Sequence, residues 1–180
     1  YTVLVDGDDL NDPVADAVRS ILDGHIVLSR ELAARNHFPA IDILQSTSRV
    51  MRDIVTPAHY AAARLVLERT ALYRRSEDLI TLGAYKPGTS KELDKAVSAH
   101  EGITAFLRQE TKQSVGLSQS IDALLALAGE VYMQNGDPTA AARYFEQATA
   151  LDPKNAGKRA AAGLSHLAKG ENERGIGELE

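Results

Sequence analysis

Cysteine is absent from the 180 residues. That excludes a disulfide framework, thiolate-ligated zinc, iron–sulfur centres and a thiol nucleophile, and it leaves the redox compartment open. Histidine is sparse: His25, His37, His59, His100 and His166 form no H-E-x-x-H and no i, i+4 pair, so no histidine metal centre is expected. No apolar run reaches the roughly 18 residues of a bilayer-spanning helix. The opening Tyr1-Thr2-Val3-Leu4-Val5-Asp6 lacks the basic n-region of a signal peptide. Methionine occurs only at 51 and 133, so residue 1 is expected to follow further protein. Base is in deficit too: Lys plus Arg total 20 against 25 Asp plus Glu, a net charge of −5, so no overall basic field attracts nucleic acid. Also missing are the G-x-S-x-G nucleophile elbow and the G-x-x-x-x-G-K-[ST] loop that cradles nucleotide phosphates and helps to hold Mg²⁺. What is present is globular in composition, 44% hydrophobic and 25% charged, which rules out disorder throughout. The length suits one generous domain or two small ones.

Residues 1–55 alternate short strands and short helices. Thr2 to Val5 reads as a strand, stopped by Asp6-Gly7-Asp8-Asp9. Asp6, Asp8, Asp9 and Asp12 lack the later Glu of a calcium loop and are read as turn and cap residues. Asp12-Pro13 launches an amphipathic helix to Leu22, ended by Asp23-Gly24. A strand at Ile26 to Leu28 follows, then a short helix capped by Ser29 and running through Arg35. Pro39 directs His37-Phe38 toward an extended conformation before a second apolar run, Ala40 to Ile43. From Thr56-Pro57 onward the pattern is helical. Leu65, Leu72 and Leu79, with Val66, Tyr73 and Ile80 beside them, predict a long helix with one apolar stripe. Gly83 and Lys86-Pro87-Gly88 break it, and Ser90 caps an antiparallel partner whose stripe is Leu93, Val97, Ile103 and Leu107. A third helix starts at Ser118, after the polar stretch Gln109 to Ser114, and contains no strong breaker except Gly129 up to Asn135.

The last part is periodic. Gly129 and Gly163 are 34 residues apart, as are Gly136 and Gly170, which is the tetratricopeptide repeat length. With Pro153 as the terminal proline, Gly129, Tyr132, Ala141, Phe145 and Ala148 occupy the repeat's packing positions, so Asp122 to Asn155 resembles one complete repeat. A second copy starts at Ala156 and keeps Gly163 and Gly170, with His166 in place of the usual aromatic and Gly175 in place of the usual Ala.

Three ordered blocks carry a second resemblance. They are Asp23-Gly24-His25-Ile26-Val27-Leu28-Ser29-Arg30, His37-Phe38-Pro39-Ala40-Ile41-Asp42-Ile43 and Ser46-Thr47-Ser48-Arg49-Val50-Met51. Together with Asp8-Asp9-Leu10-Asn11-Asp12-Pro13, Gly83-Ala84-Tyr85 and Ala105-Phe106-Leu107-Arg108-Gln109, they resemble the flagellar and type III secretion ATPases over roughly the first 128 residues. These are relatives of the catalytic subunit of rotary ATP synthases. Asp6, Phe38 and Thr47 are mild departures, standing where Glu, Tyr and another residue are common.

The resemblance implies site residues. Read from its neighbours only, Arg49 is a surface salt-bridge partner; in the family, the matching arginine reaches the neighbouring subunit's nucleotide, which makes Arg49 an arginine finger in trans. A guanidinium fork suits the γ-phosphoryl oxygens of a transition state. The aromatic before Pro-Ala-x-Asp stacks on adenine in the family, which implies Phe38, with Phe106 either lining the same pocket or serving as a core residue. The hairpin tip at 83–95 corresponds to the segment that meets the central stalk, or is a solvated turn.

The expected fold is mostly α: a remnant of an α/β P-loop ATPase core with short strands, then a C-terminal helical domain and tetratricopeptide-type helical hairpins. The expected domains are 1–55, the C-terminal part of the nucleotide-binding core; 56–128, the helical domain; and 129–180, the repeat segment. The complete enzyme is expected to be a cytoplasmic homohexamer peripheral to the inner-membrane export apparatus, using ATP and Mg²⁺ to drive protein export. By itself the chain is expected to be inactive and to bind no cofactor, while its repeat groove suits a peptide or protein ligand. The competing reading is a repeat-containing interaction scaffold with a non-catalytic ATPase-like segment.

Overall fold

The computed structural model describes residues 2–4, 13–153 and 155–179 and divides into two compact units, Tyr1–Val55 and Thr56–Glu180. In the first, α1 (Pro13–Ile21) precedes β1 (Gly24–Leu28), α2 (Arg30–Ala34), β2 (Ile41–Ser48) and the single turn α3 (Met51–Ile54). The two strands pair antiparallel. Ser29 caps α2 as expected, its hydroxyl accepting from Leu32 N–H at 3.3 Å. Thr2–Leu4 do not form the predicted strand; they are exposed, and among the described residues β1 and β2 pair only with each other, so no ladder is offered to them. The rest of that strand and the acidic turn through Asp12 lie outside the described residues. β2 runs five residues beyond the apolar stretch that announced it, because its second half is polar and bulged.

The second unit is helical. α4 (Pro57–Thr81) spans about 37 Å at 1.5 Å per residue, with the Thr56 hydroxyl accepting from His59 N–H at 3.2 Å and Pro57 in its first turn. It is antiparallel to α5 (Lys91–Leu107), which Ser90 caps through Leu93 N–H. The expected leucine stripe is corrected in detail. α4 buries Ala62, Leu65, Val66 and Ser76, while Leu79 is exposed, because a straight helix repeats every 3.6 residues and a seven-residue row drifts off the buried face. On α5 the buried positions are Ala96, Ala99 and Ile103, and Leu93, Val97 and Leu107 are only half-buried. Alanines are the most buried residues of both helices.

α6 (Leu117–Gln134) is one unbroken helix of about 27 Å that crosses the proposed module boundary at 128/129. It buries residues around much of its circumference, Leu124, Leu125, Leu127, Ala128 and Val131 among them, since it packs on α4 and α5 and also on α7 (Pro138–Leu151). α8 (Ala156–Lys169) and α9 (Asn172–Leu179) continue the stack. The 34-residue period is visible in the backbone. Asp137 N–H bonds Tyr132 C=O and, 34 residues on, Glu171 N–H bonds His166 C=O, both at 2.9 Å, with Gly136 and Gly170 at φ +74° and +87°. The same left-handed helix stop is used twice. Lys158 of α8 and the buried Asp122 of α6 form an ion pair that ties one repeat to the next.

Candidate functional site

Arg49 leaves the end of β2, where its N–H donates to Asp23 C=O at 2.7 Å. Its guanidinium turns back onto the end of α1, donating to the carbonyls of Ser20 at 2.9 Å and Arg19 at 3.3 Å. Those carbonyls belong to the last turn, where a helix carries unpaired acceptors and partial negative charge, so a cation is held there by about 0.3–1 kcal/mol. The side chain is exposed, and no carboxylate among the described residues pairs with it. Among the described residues, Arg49 is held by carbonyls rather than by an ion pair. Beside it opens a cleft of about 340 Å³ lined by Asp16, Arg19, Gly24, His25, Thr47 and Arg49, in which the Asp16 carboxylate pairs with Arg19 at 3.4 Å.

Gly24 makes the close approach of the two strands possible there. A methyl group at its Cα would come within 2.7 Å of Thr47 O. Between the pairs His25↔Thr47 and Val27↔Asp42, β1 has one residue and β2 has four, Ile43 to Ser46. Asp42, only 2% exposed, organises this bulge: its carboxylate accepts from Leu44 N–H at 3.0 Å, Gln45 N–H at 3.3 Å and Gln45 Nε2 at 3.0 Å. Ser46 Oγ donates to Asp42 C=O at 2.7 Å and accepts from Val27 N–H at 3.0 Å. His25 Nε2 lies 3.1 Å from Gln45 C=O.

Phe38 sits in the loop before β2 and is 49% exposed, with Pro39 behind it. It stands beyond one end of the hairpin and Arg49 beyond the other, so the fold does not bring the two together. Phe106 belongs to the second unit, half-buried near the end of α5.

The α4–α5 turn is built around Asp94. Its carboxylate accepts from Tyr85 Oη at 2.7 Å and from Gly88 N–H at 3.0 Å, and this carboxylate pushes the Tyr85 phenol up from its ordinary value. Gly83 and Gly88 take φ of +71° and +89°, so the turn needs residues without a Cβ there. Leu82 projects from it 80% exposed. Nearby, hydrogen bonds from Arg69 and then Lys95 hold the Glu92 carboxyl down at about 2.

Asp42, Gly24 and Asp94 were not singled out from the sequence as structural determinants. The signal for Asp94 was available, as an acid four residues after the capping Ser90. For Asp42 it was not, because the groups it holds belong to a bulge that no local pattern announces.

Three family models match in order along the chain. The nucleotide-binding domain of the ATP synthase alpha/beta family matches residues 1–48, the T3SS EscN ATPase C-terminal domain 55–126, and the tetratricopeptide repeat 123–155. The last two overlap within α6. A flagellum-specific ATP synthase of Bacillus subtilis is 52% identical over 129 residues, covering 72% of this chain and 30% of the relative. A type 3 secretion system ATPase of Pseudomonas syringae is 46% identical over 131 residues, covering 73% and 29%. Among solved structures, the assembled ATPase EscN of the enteropathogenic E. coli type III secretion system matches with a TM-score of 0.67 and 48% identity, over 71% of this chain and 31% of that one. EscN in complex with its central stalk EscO matches at 0.60 and 47%, over 64% and 28%. The chain thus spans about 30% of the length of the curated relatives it matches. With the two ATPase models following one another through the motif blocks and the helical hairpin, residues 1–126 are similar to the C-terminal part of the flagellar and type III secretion ATPases, and a match to a tetratricopeptide repeat continues from there to residue 155.

Proposed function

We propose that this chain is the interface-forming tail of a hexameric protein-export ATPase, in which Arg49 reaches the γ-phosphate of ATP bound to the neighbouring subunit. The observation that carries the reading is the state of the guanidinium: exposed, anchored on two carbonyls, and with no carboxylate among the described residues to neutralise it. Neutral carbonyls orient an arginine while leaving its charge for an incoming anion. The residues present fit the two ends of bound nucleotides, an exposed ring at Phe38 for the adenine face of this subunit's own and Arg49 for the phosphoryl oxygens of the neighbour's. They do not fit the middle, since the sequence has no phosphate loop and, among the described residues, no group of three His, Cys, Asp or Glu could hold a cation. Those parts fall to residues outside this chain. Hydrolysis supplies the driving force when nucleotide and Mg²⁺ are bound; this chain's part is to place positive charge where charge spreads over the transferred group, a role worth about 10³–10⁵ in rate.

The turn from 83 to 95 is proposed as the contact to a central stalk. EscN has been solved with such a stalk, and here an exposed Leu82 sits on a turn fixed by Asp94. We keep the modules 56–128 and 129–180 as a proposal, with α6 shared between them, and a cytoplasmic location at an export apparatus as the one that suits a protein-export ATPase.

The test uses a chimera in which residues 1–128 replace the matching segment of the Bacillus subtilis flagellum-specific ATP synthase. Arg49→Ala should lower kcat about 10³-fold or more with little change in KM and with hexamer assembly intact. Unchanged kcat would rule out the finger. The 180-residue chain by itself should neither hydrolyse ATP nor bind it at micromolar concentration by calorimetry; micromolar binding would contradict the missing phosphate site.

A further inference from the structure

The bulge in β2 decides where Arg49 emerges. At one end of the hairpin the pairs are Leu28↔Ile41 and Val27↔Asp42; at the other they are His25↔Thr47 and Gly24↔Ser48. Continued without the bulge, the first register would set Gly24 against Gln45 and leave Ser46 to Arg49 running past the start of β1. Arg49 would then stand three residues, about 10 Å, farther along the strand direction. Because three is odd, its side chain would also face the opposite side of the ribbon. The carbonyl anchors on α1 and the cleft beside Gly24 would both be out of reach.

We infer that Asp42 is the positioning residue for Arg49: its buried carboxylate holds the three extra residues of β2 in place and thereby fixes the register and face on which the arginine is presented. Four donors at the start of the bulge point to that carboxylate or to the same residue's carbonyl: Leu44 N–H, both nitrogens of Gln45, and Ser46 Oγ. Hydrogen bonds to a charged acceptor are the stronger kind, and burial at 2% exposure makes an incomplete set costly. The bulge closes on β1 through Ser46 Oγ to Val27 N–H and through His25 to Gln45 C=O, so the carboxylate's effect is transmitted to the strand that carries the pairing partner of Thr47. That Arg49 acts in trans is the reading proposed above; the placement of its backbone by Asp42 does not depend on it.

Two measurements separate these claims. In the 180-residue chain, Asp42→Leu should raise hydrogen exchange roughly tenfold or more at Leu44 and Gln45, and also at the Arg49 N–H that donates to Asp23, seven residues from the substitution. Asp42→Asn, which keeps one carbonyl acceptor, should restore part of the Arg49 protection, and this variant decides the matter if Asp42→Leu unfolds the first unit as a whole. Faster exchange at Leu44 and Gln45 with Arg49 protection and the His25↔Thr47 pairing unchanged in both variants overturns the proposal. In the chimera, Asp42→Asn should lower kcat at least tenfold at nearly constant KM, and should have no further effect once Arg49 is Ala. An Arg49→Ala chimera of full activity defeats the finger reading and leaves the exchange result to judge the positioning claim. Additive losses in the double variant overturn the coupling of Asp42 to Arg49.

Discussion

Gly129 tests how tightly the repeat is joined to the ATPase tail. It lies within α6, and a Cβ placed on it would meet three ring atoms of Phe145: Cε1 at 2.7 Å, Cδ1 at 2.8 Å and Cζ at 2.8 Å. Unlike the tip of a flexible chain, this ring is 3% exposed and packed among Ala141, Ala162, Tyr132 and Met133, with little space to retreat into. Overpacking of this kind costs about 1–3 kcal/mol. Against it stands about 1 kcal/mol gained by replacing a mid-helix glycine with alanine. Gly129→Ala should therefore destabilise by up to about 2 kcal/mol, a fall of a few degrees in Tm for a unit of this size. The sign should reverse when the ring is gone. In a Phe145→Leu background the same substitution meets a cavity, fills part of it, and should stabilise by about 1 kcal/mol. Urea and thermal unfolding of the 180-residue chain, followed by helical circular dichroism, measure all four corners of the cycle. An equal loss in both backgrounds would refute the clash as its cause. Because α6 also packs on α4 and α5, hydrogen exchange in α4 should rise together with that in α7.

The other expectations concern charge and the second repeat. Glu92 is held at about 2 by Arg69 and Lys95, below its ordinary 4.5, so its contribution is complete above about pH 4.5 and is lost as pH falls toward 2. Glu92→Gln should flatten that part of the stability–pH curve at low salt, and 1 M salt should shrink the difference; an unchanged acid limb contradicts the network. His166 is fully buried, with Nδ1 2.7 Å from Glu171 and Nε2 2.8 Å from Glu146 in a poorly directed contact. Both acids keep a second cation, Lys169 and Arg174, so His166→Ala should cost mainly the cavity, about 2–3 kcal/mol by urea unfolding, and a loss under 1 kcal/mol would show that the histidine is not a core residue.

Much of the helical part was legible because its signals are local. Ser29, Thr56-Pro57 and Ser90 mark helix starts through side-chain bonds to N–H groups three residues on, and the paired glycines at 136 and 170 mark stops through positive φ. The cores were less legible where alanine makes them. Ala62, Ala96 and Ala99 are the most buried residues of α4 and α5, yet alanine is as common on surfaces, and the larger Leu79 and Leu93 drew the eye to a face that is half outside.

The site divides along the same line. Arg49 and Phe38 were found through ordered motifs, and the structure leaves both accessible. What was hidden is the device that aims the arginine. A regular strand has a period of two, which a sequence can display; a bulge breaks that period, and here it does so over Ile43 to Ser46, followed by Thr47 and Ser48, a largely polar run that reads equally well as loop. Only cross-strand pairing reveals that three residues are supernumerary and that one buried carboxylate holds them. An arginine that must act across a subunit boundary gains from being aimed by such a rigid insert, because a fork held on helix carbonyls loses less freedom when it meets its anion.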